Sequence, residues 1–329
     1  MPRRRDLLTG AATAAALAAP ALLAPRPAWA AWPEERAIEV IVPFPPGGGV
    51  DTMARAVLPH LQAKLPGSRF VVANRAGAGG QVGFEATYNA APDGYTLGAT
   101  TSPAVVTYPI ERATRYDASR FTYLANVVDD PGGLFVVPSS PLRTLADLVA
   151  AAKARPGGIA YGTTGVGSDD HLLVLAFEGL AGLPAMNHAP FNGMATLATA
   201  LLGGHLEVGA FNMSEGYAML REGRVRALGQ AADARWSGAP DVPTFAEGGF
   251  PLASGAQRGI VGPPGLPEPI RARLERALSE ATAEPAFLRD AERLGLPVRV
   301  LAGEAYRTEI LRQEAGFRAL WARRPWKEG

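Results

Sequence analysis

Three segments of this chain repeat one design: a short apolar run, a glycine-rich turn, then a helix-like stretch. They span residues 43–51, 75–83 and 162–171. A short apolar run feeding a helix through a tight turn is the step of a parallel sheet covered on both faces. The alternation extends further along the chain. Strands are expected over 38–42, 70–73 and 95–99, with helices over 50–64 and 81–90. Later come strands over 134–137, 159–161, 206–211 and 225–228, and helices over 169–180 and 194–202. The segments 269–281, 285–294 and 303–321 read as mostly helical. The pattern is interrupted at 129–133 (Asp-Asp-Pro-Gly-Gly) and again at 250–256. The expected architecture is α/β with two lobes, each a mostly parallel sheet flanked by helices. Residues 31–131 and 255–329 form lobe 1 and residues 132–254 form lobe 2. Two chain crossings between lobes permit hinge closure over a ligand.

The first thirty residues read as an address. Arg3, Arg4 and Arg5 precede an apolar run from Leu7 to about Leu23, which ends in Ala28-Trp29-Ala30, an A-x-A cleavage pattern. Arg4-Arg5-Asp6-Leu7-Leu8 resembles a twin-arginine export signal; an ordinary secretory leader with three arginines is the alternative. Cleavage after Ala30 leaves 28 basic and 30 acidic residues, so the formal charge of +1 becomes −2. That balance gives no electrostatic case for nucleic acid. No later stretch has eighteen uninterrupted apolar residues, so the mature chain is expected in the periplasm. With 47% hydrophobic and 19% charged residues it can bury a core. Zero cysteines exclude a disulfide framework, a thiolate metal site and a cysteine nucleophile.

In a parallel sheet the three glycine turns share the carboxyl edge, where open α/β folds bind ligands. Glycine admits close backbone approach, and each following helix presents unpaired N–H groups and the positive end of its dipole. Together these make an anion site without a fixed cationic side chain. Tight turning alone explains the glycines equally well at any one loop. Asp51 reads as a first-turn helix acid and Ser168 as a cap or a hydroxyl donor to ligand. His171, one turn into its helix, is either structural or a ligand contact. Gly79→Asp is expected to weaken anion binding while leaving the fold intact.

Enzyme signatures are absent. There is no G-x-x-x-x-G-K-[ST] loop, and Val82 stands where a dinucleotide fingerprint needs its third glycine. Asn212-Met213-Ser214-Glu215-Gly216 fails as a nucleophile elbow at its first position. The four histidines include no i, i+4 pair. Catalytic residues, metal and cofactor are therefore expected to be none. An exported hydrolase using Ser168, His171 and Asp170 is the weaker rival, because one helical turn rarely assembles that geometry.

Five motifs occur in a characteristic order: Val42-Pro43-Phe44-Pro45-Pro46-Gly47-Gly48 with Asp51 and Arg55; Asn74-Arg75-Ala76-Gly77-Ala78-Gly79-Gly80; Pro92-Asp93-Gly94-Tyr95-Thr96-Leu97; Tyr161-Gly162 with Gly165-Val166-Gly167-Ser168 and His171; and Pro240-Asp241-Val242-Pro243-Thr244 with Glu247 and Gly249. In these the chain resembles the periplasmic substrate-binding receptors of tripartite tricarboxylate transporters, the Bug family, over nearly all of the mature sequence. The resemblance implies a two-lobed type II periplasmic-binding fold. It implies a small organic anion, often a carboxylate, held largely by backbone amides and water and passed to membrane permease subunits by a monomeric receptor; a signalling partner is the alternative output. It maps ligand contacts onto Phe44, Gly47, Gly48, Asp51, Ala78, Gly79, Gly80, Thr101 and Ser102. From the other lobe it maps Thr163, Gly167, Ser168, His171, Phe191, Asn192, Gly193 and Asn212. There are departures. Phe191 replaces a usual tyrosine, Gln257 stands where tryptophan is common, and Asp169-Asp170 add two acids near the cleft mouth. Those acids either cap their helix or favour an amine-bearing or less anionic ligand.

Overall fold

The computed structural model describes residues 32–323, 325 and 326. The expected leader over residues 1–30 lies outside the described residues. In chain order the elements are β1 (Ile38–Val42), α1 (Gly49–Lys64), β2 (Phe70–Asn74), α2 (Gln81–Tyr88), β3 (Thr96–Ser102), α3 (Ala104–Glu111) and β4 (Thr122–Val136). Then come α4 (Leu145–Ala154), β5 (Ala160–Thr163), α5 (Asp169–Ala181), β6 (Asn187–Pro190), α6 (Met194–Leu202), β7 (Val208–Asn212), α7 (Met213–Arg221) and β8 (Arg226–Ala231). Last are β9 (Gly255–Gly262), α8 (Glu268–Ala283), α9 (Pro285–Leu294), β10 (Val298–Ala302) and α10 (Gly303–Arg323).

The strands run in the order β2-β1-β3-β9-β4-β7-β5-β6, with β8 and β10 also pairing β4. The parallel pairing read from the sequence is found where β1 meets β2 and β3 and where β5 meets β6 and β7. Between these groups β9, β4, β8 and β10 pair antiparallel, so the whole is mixed. Strand β4 is common to both groups. From Thr122 to Pro131 it pairs β9, and from Gly132 onward it pairs β7 and β8. The chain comes back beside this switch, where the Gly132 N–H donates to the Ser254 carbonyl at 2.9 Å.

Pro131-Gly132-Gly133 reads as a break in the sequence, yet the strand runs through it. Proline falls where the ladder changes partners, a position that does not need its missing N–H. The glycines are there for closeness. A Cβ on Gly132 would lie 2.8 Å from Leu173 Cδ2, and one on Gly133 would lie 2.6 Å from the Phe135 ring.

Each group of strands is covered on both faces. Val50, Met53, Ala54, Val57, Leu58 and Leu61 of α1 recur at helical spacing and bury one stripe against β1, β3, α8 and α9. The opposite face carries an aromatic layer that includes Phe84, Tyr108, Tyr116, Phe121, Tyr123 and Tyr306. In the other half α4 and α5 cover one face through Leu148, Val174 and Phe177. Phe135 and Phe211 stack 4.0 Å apart on the other face. Side chains this fully buried contribute roughly 1.5–3 kcal/mol each, which holds the loops between them in place.

Candidate functional site

The ends of β1, β5, β6 and β7 and the loops after them meet, with Thr101 of β3 and Arg258 of β9, around a cavity of about 460 Å³. Its wall includes Phe44, Gly47, Gly48 and Thr101 from one half and Asn192, Gly193 and Asn212 from the other, all expected from the sequence. It also includes Gly49, Thr164, Asp169, Glu215 and Arg258, which were not assigned to the site. Asp51, Ala78, Gly79, Gly80, Ser102, Thr163, Gly167, Ser168, His171 and Phe191 are absent from this wall. They hold the structure around it. A larger groove of about 890 Å³ touches Trp236, Gln257, Gln313 and Phe317 and none of the glycine turns.

Asp51 fixes the first turn and does not cap its helix end in the usual way. Its Oδ2 accepts from the Gly47 N–H at 3.0 Å, Arg55 Nε donates to both oxygens, and Asn74 Nδ2 donates to Oδ1 at 2.9 Å. Asn74 also reaches the Phe44 carbonyl at 3.0 Å. The result is a staple from the start of α1 to the end of β2. Burial alone would raise the Asp51 carboxyl, but Arg55, the Gly47 N–H and Asn74 outweigh it and hold it below the usual value.

The second turn stands behind Phe44. A Cβ on Gly80 would lie 2.9 Å from the Phe44 ring. The Gly79 carbonyl accepts from the Tyr108 hydroxyl at 2.7 Å, and the Ala78 carbonyl accepts from Arg112, whose guanidinium lies over the Tyr108 ring. Gly79 has φ +70°, and its Cβ would lie 2.6 Å from the Tyr108 oxygen. Gly79→Asp therefore strains the turn itself and does not isolate the anion site as the sequence suggests.

The third turn is braced internally. Ser168 caps α5 by accepting the His171 N–H at 3.2 Å. His171 Nδ1 accepts from the Gly167 N–H at 3.1 Å, and its ring stacks on His188, which stacks on Tyr161. Thr163 Oγ1 lies 2.7 Å from His188 Nε2. Burial pushes His188 down to about 4. Ser168, His171 and Asp170 do not form a relay: Asp170 accepts from the Thr164 N–H and hydroxyl, while the serine oxygen serves the backbone. The turn also touches the other half, since Thr107 Oγ1 donates to the Gly167 carbonyl at 3.2 Å. Phe191 packs its ring against Gly162. Ser102 donates to Gln313, which in turn donates to Gln257.

At the floor of the cavity is a buried polar cluster that sequence spacing could not reveal, because its members lie up to 128 positions apart. Arg258 of β9 donates to Asp130 of β4, to Ser214 Oγ at 3.2 Å and to Asn212 Oδ1 at 2.6 Å. It also lies 3.5 Å from Glu215. Asp130 Oδ1 accepts the Ser214 N–H, so the start of α7 already faces an internal carboxylate. Glu215 Oε1 accepts the Gly49 N–H at 3.0 Å, so the start of α1 does too. Asn212 Nδ2 donates to Asp169 Oδ2 at 2.7 Å. Burial works against the Arg258 charge, but Asp130, Glu215 and Asp169 together raise it above its ordinary value. Burial raises Asp130 and Asp169 too, offset in part by Arg258 and by their hydrogen bonds to Ser214 and Asn212.

Asp170 is the most perturbed acid of the group. Burial and the neighbouring Asp169 and Glu215 push its carboxyl well above the ordinary range, against the Thr164 bonds. Its Oδ1 is buried with no hydrogen-bond partner among the described residues. A raised folded value means the folded chain keeps a proton that the unfolded chain has lost. The stability Asp170 contributes is present near the unfolded value of about 4 and is lost as pH rises through the folded value. In Asp170→Asn this loss should disappear. Its denaturant midpoint should match wild type near pH 4 and exceed it increasingly toward pH 8. A wild-type midpoint above the variant's at pH 8 would overturn the assignment.

What this arrangement can do is bind. It joins an open cavity, helix starts from both halves and contacts across the gap, and the hydroxyls that do meet a base or carboxylate, Thr163 with His188 and Ser214 with Asp130, lie outside the cavity wall. Residues 53–315 match the family described as tripartite tricarboxylate transporter family receptor. Protein BugT of Bordetella pertussis is 36% identical over 257 residues, covering 77% of this chain and 78% of BugT. MatC from Rhodopseudomonas palustris with bound malate is 27% identical, with a TM-score of 0.79 over 87% of this chain and 99% of that one. R. palustris Rpa4515 with adipate is 26% identical, with a TM-score of 0.79 over 89% of this chain and 96% of that one. The chain thus belongs to the tripartite tricarboxylate transporter receptor family, whose members are solute-binding receptors.

Proposed function

We propose that the protein works in the periplasm as a receptor that captures a small carboxylate-bearing solute between two lobes and delivers it to membrane permease subunits. Lobe 1 comprises residues 31–131 and 255–329 and lobe 2 residues 132–254, with the switch in β4 and the return at Ser254–Gly255 as the hinge. The observation that carries this reading is the start of α6. Its cap residue, Gly193, makes no side-chain cap, and its first turn holds no acid. Met194 and Ala195 line the cavity, and a Cβ on Gly193 would meet nothing within 4 Å. The starts of α1 and α7 are met by Glu215 and Asp130; that of α6 is left to a guest, and an exposed or half-buried carboxylate there gains about 0.3–2 kcal/mol. The malate and adipate held by the two related structures are of this class and size. Closure follows ligand binding only to the extent that the ligand touches both lobes.

Thermal-shift measurements on the mature chain should show carboxylate-bearing compounds raising the melting point, with neutral analogues inert. Asn192→Asp adds a negative charge at the mouth of α6 without changing shape. It should weaken carboxylate binding about tenfold, roughly 1.4 kcal/mol, while leaving the melting point of the free protein unchanged or higher, since an acid there suits the helix. No stabilisation by any carboxylate at millimolar concentration, or equal affinity in Asn192→Asp, would overturn the reading.

A further inference from the structure

We infer that the solute carries a cationic amine as well as its carboxylate: the preferred guest is an amino-carboxylate whose ammonium faces Asp169. This rests on the binding reading of the same cavity and narrows its ligand class. The argument is one of charge balance inside the wall. The charged residues lining the cavity are Asp169, Glu215, Arg224 and Arg258. Arg224 is exposed and pairs with Glu222 at 2.7 Å, so it belongs to the rim. Arg258 is buried, and its two terminal nitrogens are committed to Asp130, Ser214, Asn212 and Glu215. One guanidinium therefore faces three carboxylates: Asp130, Glu215 and Asp169. Asp130 is compensated by Arg258, and Glu215 by Arg258 and the Gly49 N–H. Asp169 accepts from Asn212 and from its own backbone N–H, is offset only in part by Arg258, and has a second acid, Asp170, beside it. An extra anion at this pole would meet like charge in a low-dielectric site, where repulsion is far stronger than in water. A cation there supplies the missing partner.

The opposite pole is different in kind. The start of α6 offers N–H groups and no acid, and Met194, Ala198 and Leu202 continue from it as an apolar stripe along the wall. A guest matching both poles has its carboxylate at α6, an aliphatic or aromatic body along that stripe, and an amine at Asp169. A dicarboxylate of the same length satisfies the first two and is repelled by the third.

Matched pairs test this by calorimetry: adipate against 6-aminohexanoate, and pentanoate against 5-aminopentanoate. At least one amino-carboxylate is expected to bind tenfold or more tighter than its partner lacking the amine. In Asp169→Asn that preference should shrink to threefold or less. Glu222→Gln, which removes an exposed acid outside the cavity wall, should retain it. Tighter binding of the amine-free partner in both wild-type pairs, or a preference that persists in Asp169→Asn, would overturn the inference and leave the receptor reading standing. Failure of every compound to bind wild type, with the melting point unmoved, would overturn both.

Discussion

Arg258→Met is expected to lower the unfolding free energy by about 3–5 kcal/mol. The substitution keeps an apolar stem of similar reach to arginine's methylenes and removes the guanidinium. Arg258 and Asp130 are 3% and 0% exposed at the side chain, so water cannot replace the lost partner. What the variant loses is chiefly the compensation of Asp130, a carboxylate that would remain buried with only the Ser214 N–H and hydroxyl. Asn212 and Glu215 lose a donor as well. The pH signature separates this from a packing defect. With its cation gone, Asp130 rises further above its unfolded value, so the variant recovers stability on acidification toward about pH 4 and loses it as pH rises. Adding Asp130→Asn should restore part of the loss at pH 7, because it removes the buried charge that made the single substitution costly. Urea midpoints at pH 5 and pH 8 for wild type, single and double variants decide it. A single variant within 1 kcal/mol of wild type, or a double variant no better than the single, would show that the cluster does not carry this charge.

The frame was legible where the residues respond to local forces. β1 was read over its full span, and α1 began one residue earlier than expected. The failures have physical reasons. Of β4 only 134–137 is read as a strand, past the break at Pro131-Gly132-Gly133, because those residues break strands when local propensity decides; here contact with Leu173 and Phe135 decides. β9 holds Gly255 and Gly259, whose Cβ atoms would lie 2.1 and 2.3 Å from backbone carbonyls of β4, so a weak-looking strand is the most tightly packed crossing. α4 is marked by the reciprocal cap of Thr144 and Asp147, a local signal that apolar periodicity alone does not carry. In the site, seven of the residues mapped from the resemblance line the cavity, and of these only Phe44, Gly47 and Gly48 belong to a glycine turn. The signs of the charges around it were not found. Sequence can suggest that a helix start is free to hold an anion; it cannot show that Glu215, 166 positions away, already occupies the one at Gly49.

Adjacent glycines at that helix start give the second large effect. Gly49→Ala should be damaging and Gly48→Ala nearly silent. A Cβ at Gly48 would meet only the Pro45 carbonyl, at 3.9 Å. A Cβ at Gly49 would lie 2.3 Å from Arg258 Cζ and 2.5 and 2.6 Å from its two terminal nitrogens. Ordinary contact needs about 3.5–4.0 Å, so the guanidinium has to withdraw by more than ~1 Å. Helix propensity alone argues the other way, since alanine improves on glycine by about 0.8–1.0 kcal/mol inside a helix. The clash wins because Arg258 is not a free side chain: Asp130, Ser214, Asn212 and Glu215 hold its plane, and withdrawing it loosens several of those bonds at once. Overpacking of this kind costs about 1–3 kcal/mol. Gly49 also lines the cavity and bonds Glu215 across the gap, so the affinity of whichever carboxylate stabilises wild type should fall tenfold or more. Gly48→Ala should keep both stability and affinity within about twofold. If the two variants behave alike in denaturation and calorimetry, Arg258 is more mobile than its bonding implies, and the charge arrangement at the floor of the cavity is not fixed by packing.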